Sequence, residues 1–423
     1  MPLKMGIARA IITPELGGLF MGYNSKLPSD SVHDDLTVTA VVLESGPCRA
    51  LLLSVTVCSI YNELSLELRE LCGRAADVPA SNIIISCVHT HAGPLFMNSG
   101  DDGYVDHILI PKCVAASAEC VENMAPVQMG VGVSKSLVGI NRRQILLDDS
   151  VILGQNPWGP YDSEMTVISF KNGDGKNVAN IVHCTAHCTA TGVVTSVSRD
   201  WCGVMIDHME EETGATTAFF NGCAGDIAPR MTYEAPFRSV KNMMKVGSVA
   251  GFDAARTFKD IREYRDADVA VVNGEIRIPY EPIKPLATAM EQYAAIEHSN
   301  DGLDESNRKI LKQIIEMHEK GETGPCDFVI EQNIIRVGPV VFVPLPFEPF
   351  TELSLRLKAY GRFGYTLVCG YSNGRNAYLP TQDQICRGGY EVSRFLWSMP
   401  RQLPADTDRQ LIAGNLVLME QFK

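Results

Sequence analysis

The stretch Ile83–Pro94, IIISCVHTHAGP, limits the choice of fold more than any other. Three β-branched residues run into a small Cys, then His89-Thr90-His91, then Gly93-Pro94. The apolar run predicts a buried strand, and Gly-Pro ends it. Residues two apart on an extended backbone face the same way, so His89 and His91 leave the strand end on one face. Two readings follow. The pair is either a hydrogen-bonded couple at a sheet edge or part of a metal or catalytic centre, because neutral imidazole is a common zinc ligand.

The 423 residues permit one large or two medium domains. No internal repeat, low-complexity tract or Pro/Ser-rich linker divides them, so a single domain over 1–423 is expected. The net charge of −13 argues against nucleic acid or an anionic membrane as partner, since either needs a basic surface. No window approaches 18 uncharged apolar residues, so no membrane span is expected. The N-terminal MPLKMGIARAIITPELGG lacks a charged leader followed by a long apolar core, which predicts no secretory signal. Thirteen Cys at uneven spacing, with no CxxC pair, read as reduced thiols of a cytoplasmic protein; Cys58, Cys87 and Cys369 sit in apolar settings. Cys184 and Cys188 have no second pair nearby to complete a zinc-thiolate site. A homo-oligomer is left open.

Strands are predicted over 5–12, 36–44, 50–59 and 80–87, with a helix over 62–76 from the spacing of Leu64, Leu66, Leu68 and Leu71. Further helices are predicted over 106–124, 201–213, 239–258 and 351–359. Further strands are predicted over 127–139, 166–170, 178–182, 217–220, 268–279, 327–337, 340–345 and 365–371. Asn172–Gly175 reads as a hairpin turn. The polar stretch 283–320 reads as a helical hairpin projecting from the core. The expected fold class is α/β: a layered mixed β-sheet core with flanking helices and a helical excursion near 283–320. Active groups in such folds often sit at strand ends.

Several strand ends carry polar groups. Asn141-Arg142-Arg143 follows an alternating segment; the two guanidiniums are either solvated or a fork for a substrate carboxylate or phosphate. The strand 178–182 ends in His183-Cys184-Thr185-Ala186-His187-Cys188. Thr185, Thr189 and Thr191 argue against a helix there, so one of the two histidines as ligand is favoured over both; the alternative is two polar core histidines. Asp226, in NGCAGDIAPR, is either a carboxylate supporting a site or part of a tight turn. Glu348 stands between the strand 340–345 and the helix 351–359, as a dipole-stabilised helix acid or as a third metal ligand. Tyr378 lies in the polar loop SNGRNAYLPT, and Gly388-Gly389-Tyr390-Glu391 follows.

Taken together, these motifs resemble the N-terminal catalytic domain of the neutral/alkaline ceramidase-like family. The matching stretches are GIARAIITP, CVHTHAGP, GINRRQ, NPWGPYDSE, VANIVHCTAHCTATG, NGCAGDIAPR, PFEPFTELSLRLK and GYSNGRNAYLPT with GGYEV, in one order across almost the whole chain. The resemblance implies a zinc hydrolase acting on an amide bond. It implies zinc ligands at His89, His187, Glu348 and Tyr378, with His183 as the alternative to His187. His91 matches the histidine facing the substrate. Arg142, Arg143 and Tyr390 are expected at the substrate, and Asp226 and Tyr378 beside His91 in catalysis.

The chain departs from the family pattern in three respects. Phe347 replaces the Gly before the glutamate ligand. Ala228 stands where ceramidases resemble one another in a Ser, so no hydroxyl is available there. The C-terminal immunoglobulin-like domain is expected to be absent. A small soluble amide, rather than ceramide, is the expected substrate. Two His and one carboxylate form a zinc set that keeps a position open for water. The alternatives are a zinc esterase or lactonase and a catalytically silent binding protein of the same fold.

Overall fold

The strand Cys48–Val55 reads ALLLSV because both of its faces are covered. Leu51 and Leu53 pack into one core and Leu52 into another, so the apolar run has no polar face to alternate with. This strand lies in a five-stranded sheet ordered Ile83–Cys87, Cys48–Val55, Thr37–Ser45, Lys4–Ile11 and Ala125–Pro126. In the computed structural model, residues 2–23, 26–96, 103–230, 239–299 and 301–422 are described.

A second sheet of four strands is ordered Thr216–Asn221, Asn177–Cys184, Glu164–Lys171 and Gln128–Lys135. A third is ordered Val269–Pro279, Asp327–Val337, Val340–Pro344 and Tyr365–Cys369. One core is shared by inward residues of all three sheets, among them Leu52, Ile168, Ile181, Phe342 and Leu367. The outer faces are covered by helices Asn62–Ala76, Ile110–Glu122, Trp201–Thr213 and Val240–Lys259 on one side, and by Thr351–Tyr360, Tyr390–Leu396 and Thr407–Met419 on the other. The α/β class, the layered sheets and the helical excursion expected from the sequence are present, the excursion as helices Leu286–Ile296 and Gly302–Glu319 packed through Ala289, Leu311 and Ile314. Its residue 300 lies outside the described residues.

Each large sheet is antiparallel except for one parallel pair. These pairs are Cys48–Val55 with Ile83–Cys87, Asn177–Cys184 with Thr216–Asn221, and Val340–Pro344 with Tyr365–Cys369. Helices Asn62–Ala76, Trp201–Thr213 and Thr351–Tyr360 form the three crossovers. Parallel partners share one C-terminal end, and the polar motifs of the sequence follow those ends.

Several elements differ from the sequence reading: the strand expected over 50–59 ends at Val55, and the one expected over 80–87 begins at Ile83 after a 3-10 turn, Ala80–Asn82. The stripe of helix 62–76 is Leu64, Leu68, Cys72 and Ala76, at strict fourfold spacing, while Leu66 is exposed. The helix expected from 106 opens as a wider π turn, Val105–Leu109, just before Pro111. Proline has no N–H and crowds the carbonyl four residues back, so a wider turn there relieves the clash. The strand expected over 127–139 splits into Gln128–Lys135 and Gly139–Asn141, the latter pairing with Ile227–Pro229.

The strand Ile83–Cys87 is at a sheet edge yet fully buried. Its free edge is satisfied by side-chain amides of the third sheet and of the loop that follows it: Asn333 Nδ2 donates to Ile83 O (2.7 Å), and Ile85 N donates to Asn373 Oδ1 (2.9 Å). Asn373 takes a left-handed φ of 59°, which Asn tolerates better than most residues. We expect Asn333→Ala, which strips a buried carbonyl of its donor, to destabilise the fold by about 1–3 kcal/mol, read as a lower urea midpoint with unchanged slope.

Candidate functional site

The strand before the His-Thr-His ends at Cys87, so His89 and His91 are not on extended backbone as the sequence reading assumed. His89 has a left-handed φ of 71°. Its N–H donates to Val57 O, and His91 N donates to Cys188 O. The turn still brings the two imidazoles together, with Nε2 atoms 3.2 Å apart. Convergence therefore comes from a strained turn held by neighbouring segments, at a cost of about 1–3 kcal/mol for such a backbone.

His187 follows the strand Asn177–Cys184 on irregular backbone, which puts it beside His89. Asn221 ties the two histidine segments together, donating through Nδ2 to Val88 O (3.0 Å) and Ala186 O (2.9 Å). Trp201 Nε1–H donates to His187 O (2.8 Å). Glu348 lies just past the third-sheet strand Val340–Pro344, in a separate two-stranded parallel ladder that pairs it with Tyr378. Gly225 allows the loop below His187 to press on this segment: a Cβ there would lie 2.3 Å from Glu348 O.

The ligand atoms of His89, His187 and Glu348 gather at one point. Glu348 Oε2 lies 3.3 Å from Nε2 of both histidines. The other ring nitrogens face carbonyls, His89 Nδ1 at 2.8 Å from Cys58 O and His187 Nδ1 at 2.5 Å from Ala224 O. In the neutral ring each Nδ1 is therefore the N–H, and each Nε2 offers its lone pair to a cation or a proton. Buried His187 Nε2 and Glu348 Oε2 have no hydrogen-bond partner. Two lone pairs and a carboxylate oxygen facing one another call for a cation between them. Ligand bonds of about 2.0–2.1 Å in a tetrahedron put neighbouring ligand atoms roughly 3.3 Å apart. The donor set and its spacing fit zinc.

The electrostatics agree with one cation for three groups. Burial, then Arg142, holds the His187 pKa down at about 3. Burial opposes charge on His89 too, but Cys58 and Glu348 outweigh it and raise its pKa to about 10. A proton taken by His89 leaves His187 facing the same carboxylate without one. Burial and the two neighbouring histidines keep His91 well below its ordinary value.

A cleft of about 970 Å³ opens over this point, lined by His89, His91, Glu348, Tyr378 and Tyr390 and walled by Ile310 of the excursion. The Tyr378 and Tyr390 rings meet edge to face, 5.7 Å between centroids. Arg142 and Arg143 stand behind that wall. Both clamp the buried Glu391, Arg142 through Nε and Arg143 through Nη1, each at 2.8 Å. Arg142 Nη2 also donates to Tyr378 Oη (3.1 Å), while Arg143 donates to Gly388 O (2.7 Å). The structure thus brings Arg142 to Tyr378 and leaves Arg143 as a brace.

His183 lies elsewhere. It faces Val368 O at 3.2 Å in the core, and burial lowers its pKa to about 4. Ala228 pairs with Ile140, is 5% exposed and does not line the cleft. Asp226, not Glu348, serves the helix that begins at Thr351: Thr351 N donates to Asp226 Oδ1 (2.7 Å), and Asn141 Nδ2 donates to Oδ2 (2.9 Å).

Three residues at the site carried no role in the sequence reading. Tyr371 stacks on His89 with ring centroids 4.0 Å apart, and its buried hydroxyl has no partner. Glu391 is the acid that two adjacent arginines without a nearby carboxylate should have suggested. Asn221 stood in a stretch that was read for Asp226 alone.

This is a mixed α/β protein with a His-His-carboxylate cluster at the shared ends of three parallel strand pairs. Its fold is that of the ceramidase-like structures. The crystal structure of neutral ceramidase from Pseudomonas aeruginosa matches with a TM-score of 0.76 at 17% identity, over 99% of this chain and 74% of that one. A ceramidase complexed with C2 matches with a TM-score of 0.73 at 16% identity, over 99% and 75%. No protein-family model matches the chain, and no curated protein matches it. Among the described residues, no helix is long and apolar enough to cross a membrane.

Burial raises the Asp226 pKa from 3.8 to about 7, against the Thr351 N–H and with Glu391 adding to the rise. The folded state then holds a proton that the unfolded state releases between these values. This group's contribution to stability is therefore full at low pH and lost as pH rises through about 7. Relative to Asp226→Asn, the wild-type melting temperature should fall between about pH 4 and about pH 7 and level off above; parallel curves would contradict the assignment.

Proposed function

We propose that the chain is a zinc-dependent hydrolase that cleaves the C–N bond of a small soluble amide. The observation that carries this is the gathering of His89 Nε2, His187 Nε2 and Glu348 Oε2 at one point, the last two buried without a hydrogen-bond partner. The names of the structural neighbours support amide as the bond type. Zinc, when bound there, would supply a Lewis acid and make water ionise near pH 7.

The chain's own groups would do the rest. Cys58 O and Ala224 O fix the histidine tautomers. His91 is neutral, and its Nε2–H now points at His89 Nε2. With that lone pair engaged by a cation, the N–H is free to donate to the carbonyl oxygen as it gains charge. Tyr378 presents its hydroxyl from the facing wall, as a further ligand or donor, while Arg142 holds its oxygen. Asp226 orients the loop that carries Ala224 and Ile227 under His187. Tyr390 lines the substrate's path. A water oxygen adds to the carbonyl carbon, the C–N bond breaks, and the amine leaves with the proton that water gives up. We place the protein in the cytoplasm, in keeping with thirteen free cysteines, ten of them buried.

Three variants test the reading. His187→Ala and Glu348→Gln should each retain less than about a tenth of the wild-type zinc in elemental analysis, with the far-ultraviolet circular dichroism unchanged. His91→Ala should keep its zinc and lose about 10²–10⁴-fold in turnover of short N-acyl amines. Full zinc retention in the first two variants would sink the proposal. Matched amides and esters would separate an amidase from an esterase.

A further inference from the structure

The cleft differs in charge from the molecule around it. The protein carries a net charge of −13, yet in the cleft lining Lys26, Lys309, Arg375 and Arg394 outnumber Asp301, Glu305 and Glu348. Lys309 is paired with Glu305 on its own helix at 3.2 Å. Arg375 and Arg394 have no carboxylate within ion-pair distance among the described residues. By contrast, Arg142 and Arg143 just behind the wall share one carboxylate, Glu391.

Both free guanidiniums are held. Arg375 lies over the Tyr61 ring, 5.4 Å from its centroid, and its Nη1 donates to Tyr61 Oη (3.2 Å). Its backbone N–H donates to Asn62 Oδ1 (2.9 Å), and the next residue, Asn376, donates to Pro346 O (2.7 Å), two residues before Glu348. Gly374 permits this clamp, since a Cβ there would meet Asn62 Oδ1 at 2.2 Å. Arg394 lies over the Tyr390 ring, 5.3 Å from its centroid. A guanidinium backed by an aromatic face keeps its N–H edge in a fixed plane, which suits a planar carboxylate. The electrostatic partners of Arg375 include Glu348 and Tyr378, so it is close to the reacting end of the cleft.

We propose that Arg375, with Arg394, binds a carboxylate of the substrate, so that the preferred amide is an N-acyl amino acid rather than a neutral N-acyl amine. This rests on the hydrolase reading above for the reaction, but not for the binding.

The test uses the zinc-loaded full chain with two compounds matched in size and branching, N-hexanoylglycine and the neutral N-hexanoylisobutylamine. Calorimetric binding and kcat/KM are both measured. The acid should bind and react at least tenfold better. Arg375→Gln should cut that acid-to-neutral ratio by about 10- to 100-fold, the range for a lost charge-assisted hydrogen bond. Arg394→Gln should cut it less, and Arg375→Lys should restore part of it. Zinc content and circular dichroism report that each variant folds. A ratio unchanged in Arg375→Gln overturns the inference, because any preference then comes from zinc alone. Equal binding of the two compounds by wild type also overturns it, even if both are hydrolysed. Arg375-dependent binding of the acid with no turnover of either compound keeps the anion site and overturns the hydrolase reading instead.

Discussion

Three electron-rich atoms that repel one another are held within contact range, and the rest of the structure is arranged to keep them there. Glu348 Oε2 stands 3.3 Å from two imidazole nitrogens whose protons are on the far sides of their rings. Without a metal, only a proton on His89 eases that apposition, and it leaves His187 facing the carboxylate uncharged. The apposition persists because the backbone supports on every side are stronger: Cys58 O and Ala224 O behind the rings, Asn221 bridging the two histidine turns, and Gly225 packed against Glu348 O. The left-handed backbone of His89 fits the same account, being strain accepted at the point where the side chain must be aimed.

The sheets explain how segments so far apart in sequence meet. A parallel pair needs a long crossover, and its two strands end on the same side. Here three sheets each contribute one such pair, and their ends share a common region. The edge strand before His89 is buried by side-chain amides of the third sheet and of the loop that follows it, and the segments just past that sheet's strands also bring Glu348 and Tyr378. Sheet packing and site assembly are thus one set of contacts.

Charge is sorted around the cleft in two layers. Behind Tyr378 and Tyr390, Arg142 and Arg143 share the buried Glu391, which locks the pair in place and offsets part of its charge. Removing Glu391 would leave two buried guanidiniums uncompensated, the costliest kind of loss in an ion-pair network. In the cleft itself, Arg375 and Arg394 are supported by aromatic rings instead of acids, so their charge is available to a ligand.

The sequence alone determined the element order, the α/β class and the residues with metal-binding chemistry. Strand, helix and turn signals are local, and imidazole and carboxylate are the same groups wherever they sit. The order of motifs also carried the likeness to ceramidases that the fold bears out. Other features depended on distance across the molecule. His183 and His187 are equivalent on the page, and only the end of the strand at Cys184 turns one into the core and the other toward Glu348. Arg142 and Arg143 look like one receptor until Glu391, some 250 residues away, is found between them. Glu348 and Asp226 both read as acids near a helix start, and the tertiary fold gives the helix to Asp226 and the cluster to Glu348. Hydrogen bonds and lone-pair directions act over about 3 Å, so which groups share a site is decided by packing of remote segments, on which local sequence is silent.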